Sequence, residues 1–235
     1  MPLLRPVTLH GWDRVRGEVT LHLPPGARSH AWLAAMPPGA GVTFSGPLGR
    51  PLRIDARAHH LLLIADGGGI GRLRSLVDEA LRSGRQVAAL LGAASAAEVY
   101  PSSLLPDEVE YAVATADGSL GHHGSVLELV PRYEAWADQA FAAAAPDLLA
   151  DLATLVRSRD SRLGVARLAR RPSRRSSRGT SSPPRSWLQV VLEQNVGCAL
   201  GVCLGCSVEG ATGPVRVCRE GPAFGMDELA WSEPA

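Results

Sequence analysis

No apolar run in this 235-residue chain approaches the ~20 residues that a membrane-spanning helix needs. The longest, His60-Leu61-Leu62-Leu63-Ile64-Ala65 and Val87-Ala88-Ala89-Leu90-Leu91-Gly92, are six residues each and suit buried strands. No charged stretch followed by an apolar one opens the chain, which leaves a secreted, oxidising setting without support. No serine sits in a G-x-S-x-G elbow and no H-E-x-x-H occurs, so hydrolase chemistry has no foothold.

Cysteine is scarce as well. The only four, Cys198, Cys203, Cys206 and Cys218, stand near the C-terminus with the spacing C-x4-C-x2-C and a single distant fourth. A [2Fe–2S] cluster of the plant type takes three thiolates from one tight loop and a fourth from elsewhere, and this spacing has that form. Glycines at 197, 201 and 205 let the loop backbone bring N–H groups close to the sulfurs. A four-thiolate zinc site is the main competitor, but it usually pairs two short C-x2-4-C units. Disulfides and ligand-free buried thiols rank lower.

The formal net charge of +1 hides an asymmetry. Between Arg157 and Arg185 ten arginines accompany one acid, Asp160, which leaves 14 basic and 22 acidic residues in the remainder, a net of −8. Residues 170–185 have almost nothing to bury and read as a basic linker. Such a run could contact nucleic acid or an acidic partner. A solvated linker is favoured, because no aromatic residue interleaves the arginines to stack on bases.

Upstream, strands alternate with helices. His60 to Ala65 ends in Asp66-Gly67-Gly68-Gly69-Ile70-Gly71, and Leu73, Val77 and Leu81 then recur at helical intervals. Val87 to Gly92 and Val109 to Thr115 give two more strands, and Ser125–Leu129 and Tyr133–Trp136 short helical pieces. This succession predicts a parallel sheet covered by helices. The glycine turn would let a dinucleotide pyrophosphate approach the backbone, although a tight connection explains it equally well. A second turn, Thr115 to Gly124 with Asp117 and Gly118, follows a strand end, where ligands sit in open α/β sheets. The pairs His59-His60 and His122-His123 diverge on a strand and favour surface roles over metal binding. Near the N-terminus, Val7–His10, Val19–Leu23 and Val42–Phe44 read as strands, too few to close a barrel.

Arg5-Pro6-Val7-Thr8, Gly46-Pro47-Leu48-Gly49, the Asp66–Gly71 turn, Thr115-Ala116-Asp117-Gly118-Ser119 and the four cysteines, with the trailing Val217 to Phe224, together resemble the electron-transfer subunit of class 1B dihydroorotate dehydrogenase, in the ferredoxin-reductase-like superfamily. The likeness spans nearly the whole chain. It implies an α/β plus β fold: a partial, truncated FAD-binding β-barrel over residues 1–54, a ferredoxin-reductase-like parallel α/β domain binding the nicotinamide nucleotide over 55–158, the basic linker over 159–186 and a small [2Fe–2S] module over 187–235. Departures accompany it: the Arg-Pro-x-Thr motif already stands at residue 5, alanines around Ala143 to Ala145 replace a Cys-Gly-Pro motif, and Arg72-Leu73 replaces Ala-Pro.

By the same resemblance, Arg5, Pro6, Val7, Thr8, His22, Leu23, Arg28 and Ser29 fall at FAD contacts, Gly67, Gly68, Gly69, Gly71, Asp117 and Gly118 at the nucleotide, and Cys198, Cys203, Cys206 and Cys218 on the cluster. The implied function is electron transfer in pyrimidine (UMP) biosynthesis: electrons pass from an FMN-containing catalytic subunit, in a cytoplasmic heterotetramer, through the cluster and FAD to NAD+. No residue of this chain would be an acid or base for the dihydroorotate chemistry. A free-standing NAD(P)H-dependent flavin or iron–sulfur reductase and a degenerate zinc-binding module are the alternatives.

Overall fold

The structure is a computed structural model and describes residues 6–7, 9–23, 28–163 and 186–231, without the side chains of 28–29 and 159–163. In chain order the elements are strands β1 (Leu9–Asp13) and β2 (Glu18–Leu21), helix α1 (Arg28–Ala34), β3 (His60–Asp66), α2 (Arg74–Arg82), β4 (Gln86–Ala93), β5 (Glu110–Thr115), β6 (His122–His123), α3 (Val130–Tyr133), β7 (Gln139–Ala143), α4 (Pro146–Leu163), β8 (Leu188–Val191), β9 (Ser207–Gly210), β10 (Gly213–Arg216) and β11 (Ala223–Gly225).

Seven strands form one sheet in the order β11-β8-β7-β3-β4-β5-β6. All neighbours are parallel except β11, which runs antiparallel to β8. The centre is built from the two apolar runs that the sequence marks as strands. Leu61, Leu63 and Ala65 face one core with Ile70, Leu73, Leu76 and Val77, whereas Leu62 and Ile64 face the other with Leu149, Leu152 and Val156 of α4. A strand covered on both faces needs no polar alternation, which is why the run is uninterrupted.

Four elements differ from the sequence reading. Val42–Phe44 is not a strand, and β1 begins two residues later than expected, so among the described residues the N-terminal part has one antiparallel hairpin, β1–β2, and α1. Arg28 and Ser29, read as part of a turn, open α1. The alanines at 143–145 are not simply loop: Gln139–Ala143 is the fully buried strand β7, beside β3. Alanine has low strand propensity, and here burial between two strands overrides it.

The chain also weaves the cysteine-bearing part into the sheet. Strands β8 and β11 flank the cysteine loop in sequence and complete the sheet edge. Leu48, from Gly46-Pro47-Leu48-Gly49, packs against the same core. Next to it the Arg50 N–H donates to the carbonyl of Gly221, and the Arg50 side chain to that of Glu220. A Cβ on Gly49, at φ 68°, would meet the Gly221 carbonyl oxygen at 1.8 Å, so only glycine permits this approach.

Candidate electron-transfer site

The cysteine loop repeats one local device. After Cys198, Ala199 takes a left-handed φ of 57° and turns the Leu200 N–H back to the Cys198 Sγ at 3.4 Å. After Cys203, Leu204 at φ 59° does the same for the Gly205 N–H, also at 3.4 Å from its Sγ. Left-handed backbone costs a non-glycine residue roughly 1–2 kcal/mol, so the loop holds two strained positions, each aiming a donor at sulfur. The N–H groups of Cys203, Leu200 and Val202 bring the Cys198 thiol down to about 6, so it is largely thiolate at neutral pH.

The four free thiols fall into two pairs. Cys198 and Cys203 lie at the outer side, half-buried and exposed, and Cys206 and Cys218 on the inner side, buried in the core shared with the sheet. Burial first, and Cys206 second, push the Cys218 thiol up. Among the described residues no three His, Cys, Asp or Glu side chains converge as a site for one metal ion. Two thiol pairs with N–H donors fit a two-iron cluster, in which each iron takes two protein sulfurs. Leu200, Val202 and Leu204 stand outward on this loop, 72%, 71% and 63% exposed.

Residues 193–230 match the family model of the "iron-sulfur cluster binding domain of dihydroorotate dehydrogenase B". Over 238 residues the chain is 28% identical to the "dihydroorotate dehydrogenase B (NAD(+)), electron transfer subunit" of Desulforamulus reducens, covering 98% of this chain and 81% of that protein. The identically named protein of Bacillus caldolyticus is 29% identical over 234 residues, covering 97% and 80%. The chain resembles the electron-transfer subunit of class 1B dihydroorotate dehydrogenase. A solved structure described as an NADH-dependent reduced ferredoxin-NADP oxidoreductase superposes with a TM-score of 0.71 over 96% of this chain and 74% of that one, at 19% identity, and so shares the fold.

Beside the cysteine loop lies a groove of about 550 Å³ at the carboxyl ends of β7 and β8. Ala144, Ala145 and the α4 N-terminus form one wall, Glu193 to Asn195 and Trp231 another, with Arg72 and Pro6 completing it. Arg72 Nε lies 3.7 Å from Glu193. Asn195 precedes Cys198 by three residues, so their Cα atoms are at most about 11 Å apart.

The other residues singled out in the sequence are scattered. Pro6 reaches the groove, Val7 is exposed beside it in sequence, and Arg5 and Thr8 lie outside the described residues. His22 sits against Gly71, where a Cβ would meet its Nδ1 at 2.4 Å, with its ring tilted against His10 and edge-on to Tyr100. Burial lowers both histidines and raises Tyr100, whose hydroxyl is 3.1 Å from His10 Nε2. Leu23, just beyond β2, is half-buried, and the side chains of Arg28 and Ser29 lie outside the described residues.

Gly67 to Gly71 form a tight 3-10 turn after β3, with Gly69 pressed on the Ala143 carbonyl. Asp117 and Gly118 follow β5, on the far side of β4 from that turn. Asp117 is engaged by the Ser119 hydroxyl at 2.6 Å, which holds its carboxyl below the usual range. Asp138 accepts the backbone N–H groups of His59 and His60, and His122 Nε2 meets Glu128 at 2.8 Å, so both histidine pairs have local partners.

Sequence reasoning missed the groove and one ion pair. The groove is assembled from six stretches of chain, of which only Pro6 belongs to a motif quoted from the sequence. Arg216 and Glu220 bracket Cys218 at i,i+4 spacing, and that pairing of opposite charges around a ligand was the available signal.

Proposed function

We propose that this chain is the electron-transfer subunit of a dihydroorotate dehydrogenase, carrying electrons from an FMN-containing catalytic subunit through a [2Fe–2S] cluster and FAD to NAD+ in pyrimidine biosynthesis. The observation that carries the proposal is the set of four free thiols, two with N–H donors on their sulfurs, within the segment similar to the cluster-binding domain of the family. Bound there, the cluster supplies one-electron storage between two-electron carriers.

The chain's own residues do the holding. Cys198 and Cys203 would grip one iron and Cys206 and Cys218 the other, with Ala199 and Leu204 fixing the donors that favour negative charge on sulfur. The exposed Leu200, Val202 and Leu204 surround the outer thiols and offer an apolar contact to the catalytic subunit. The groove has the size of a cofactor pocket, and Pro6, Arg72 and Ala144 are the residues that would line a bound flavin there. His22, half-buried against Gly71 and Tyr100, and Leu23 belong to the same set of proposed FAD contacts.

Gly67, with open space around it, is the part of the glycine turn best placed for the nucleotide, with Gly68, Gly69 and Gly71 beside it in the same turn. Asp117 and Gly118, at the end of β5, would contact the far end of that nucleotide. The functional division follows the four stretches 1–54, 55–158, 159–186 and 187–235, even though β8 and β11 of the last complete the sheet. A cytoplasmic location belongs to the same proposal, and no helix among the described residues is long and apolar enough to cross a membrane.

Co-expression with a dihydroorotate-oxidising FMN subunit tests it. A stable heteromer that reduces NAD+ with dihydroorotate, and a Cys203→Ser variant that loses this while the partner still reduces dyes, are the expected results. A chain that stays alone and reduces dyes with NAD(P)H would instead establish a free-standing reductase.

A further inference from the structure

Arg216 lies at the end of β10, two residues before Cys218, and its side chain makes contacts in two directions. Nη1 donates to the carbonyl of Gly201 at 2.8 Å, in the middle of the cysteine loop. Nε and Nη2 form a fork onto Glu220 at 2.9 and 2.5 Å, and the Arg216 backbone N–H joins it at 2.9 Å. Gly201 is thereby used from both sides: its carbonyl accepts from Arg216, and its own N–H faces the Cys218 thiol. At φ 74°, with a Cβ only 3.0 Å from Arg219 Cδ, this position suits glycine alone.

We propose that Arg216, locked by Glu220, is a positioning residue of the cluster site: it fixes the Gly201 peptide against Cys218 and sets the reduction potential through a positive charge beside the inner thiol pair. The proposal rests on the cluster reading above. A guanidinium fork holds a fixed geometry that an ammonium cannot reproduce, so holding and charge are separable by substitution. Arg216 pairs with Ser207, next to Cys206, across the β9–β10 hairpin, and the Val217 N–H donates to the Cys206 carbonyl at 3.1 Å, which places the guanidinium beside the inner pair. A fixed cation next to a cluster favours the reduced, more negative state, and Glu220 partly offsets it.

The test uses the full chain, reconstituted anaerobically with iron and sulfide, as wild type and as Arg216→Gln, Arg216→Lys and Glu220→Gln. EPR-monitored redox titration reads the potential, and iron retained after gel filtration reads the holding. Glu220→Gln is expected to raise the midpoint, and Arg216→Gln to lower it by about tenfold in the reduced-to-oxidised ratio, 59 mV for one electron. Arg216→Lys is expected to keep the wild-type midpoint yet lose iron several-fold faster. Where Arg216→Gln retains no cluster, an unchanged Arg216→Lys midpoint against a raised Glu220→Gln midpoint supports the proposal. Shifts of the same sign in both charge variants, or none in either, would overturn it, because mere loosening has no reason to change sign. A wild-type chain that binds no iron would refute the cluster reading instead.

Discussion

Replacing Gly69 by alanine puts a methyl group where the structure has a carbonyl. The added Cβ would stand 1.8 Å from the Ala143 oxygen and 2.8 Å from its carbon, whereas ordinary contact begins near 3.4 Å. The oxygen would have to retreat by about 1.6 Å inside a close-packed interior. Neither side yields easily: Ile70 and Ala143 are fully buried, and the neighbouring turn is tied to α4 by the Ala145 N–H on Asp66. Overpacking costs about 1–3 kcal/mol where side chains can rotate away, and backbone cannot, so about 3 kcal/mol is expected. For a chain of this size that lowers Tm by roughly 6–12 °C.

Thermal unfolding followed by circular dichroism measures it, with Gly67→Ala as the comparison. Gly67 has open space around it and only a left-handed φ of 45°, so its loss is expected near 1 kcal/mol, about 2–4 °C. If Gly69→Ala unfolds within about 2 °C of the parent, the packing of the glycine turn against β7 is wrong, and with it the position of the groove.

Substituting Leu200 and Val202 together by serine should leave iron content unchanged and weaken association with the catalytic subunit by about 2 kcal/mol, roughly thirtyfold in Kd by calorimetry. Glu220 is held down to about 2 by Arg216, so its contribution to stability is present above its ordinary 4.5 and is lost as pH falls from there through about 2; Glu220→Gln should flatten that part of an acid-unfolding curve. Burial lowers His10 and His22 below their ordinary 6.5, so the unfolded chain binds more protons there and stability should fall as pH drops below 6.5; His22→Gln should reduce this slope. The Cys198 thiol, brought to about 6, should in the iron-free chain react with iodoacetamide at pH 7 faster than the buried Cys218.

What could be read from the sequence was what is local. The cysteine spacing points to a chemistry because three of the four cysteines fall within nine residues, and the apolar run Leu61 to Ile64 suits a strand because it is too short for a core helix and is buried on both faces. Strand β7 stayed hidden because Gln139-Ala140-Phe141-Ala142-Ala143 carries one large side chain, and its identity comes from the neighbours β3 and β8. The glycine turn was legible as a turn, yet its sequence could not show that Gly69 and Gly71 are spent on the Ala143 carbonyl and the His22 ring. Arg216 looked like one arginine among 24 until the fold brought Gly201 to it across 15 residues.

Metal and sulfide analysis of the anaerobically purified chain tests the central claim most directly. Two irons and two acid-labile sulfides per chain, with the visible absorption of an oxidised cluster that bleaches on reduction, are predicted. Zinc in place of iron, or iron content unchanged when all four cysteines are replaced by serine, would contradict it.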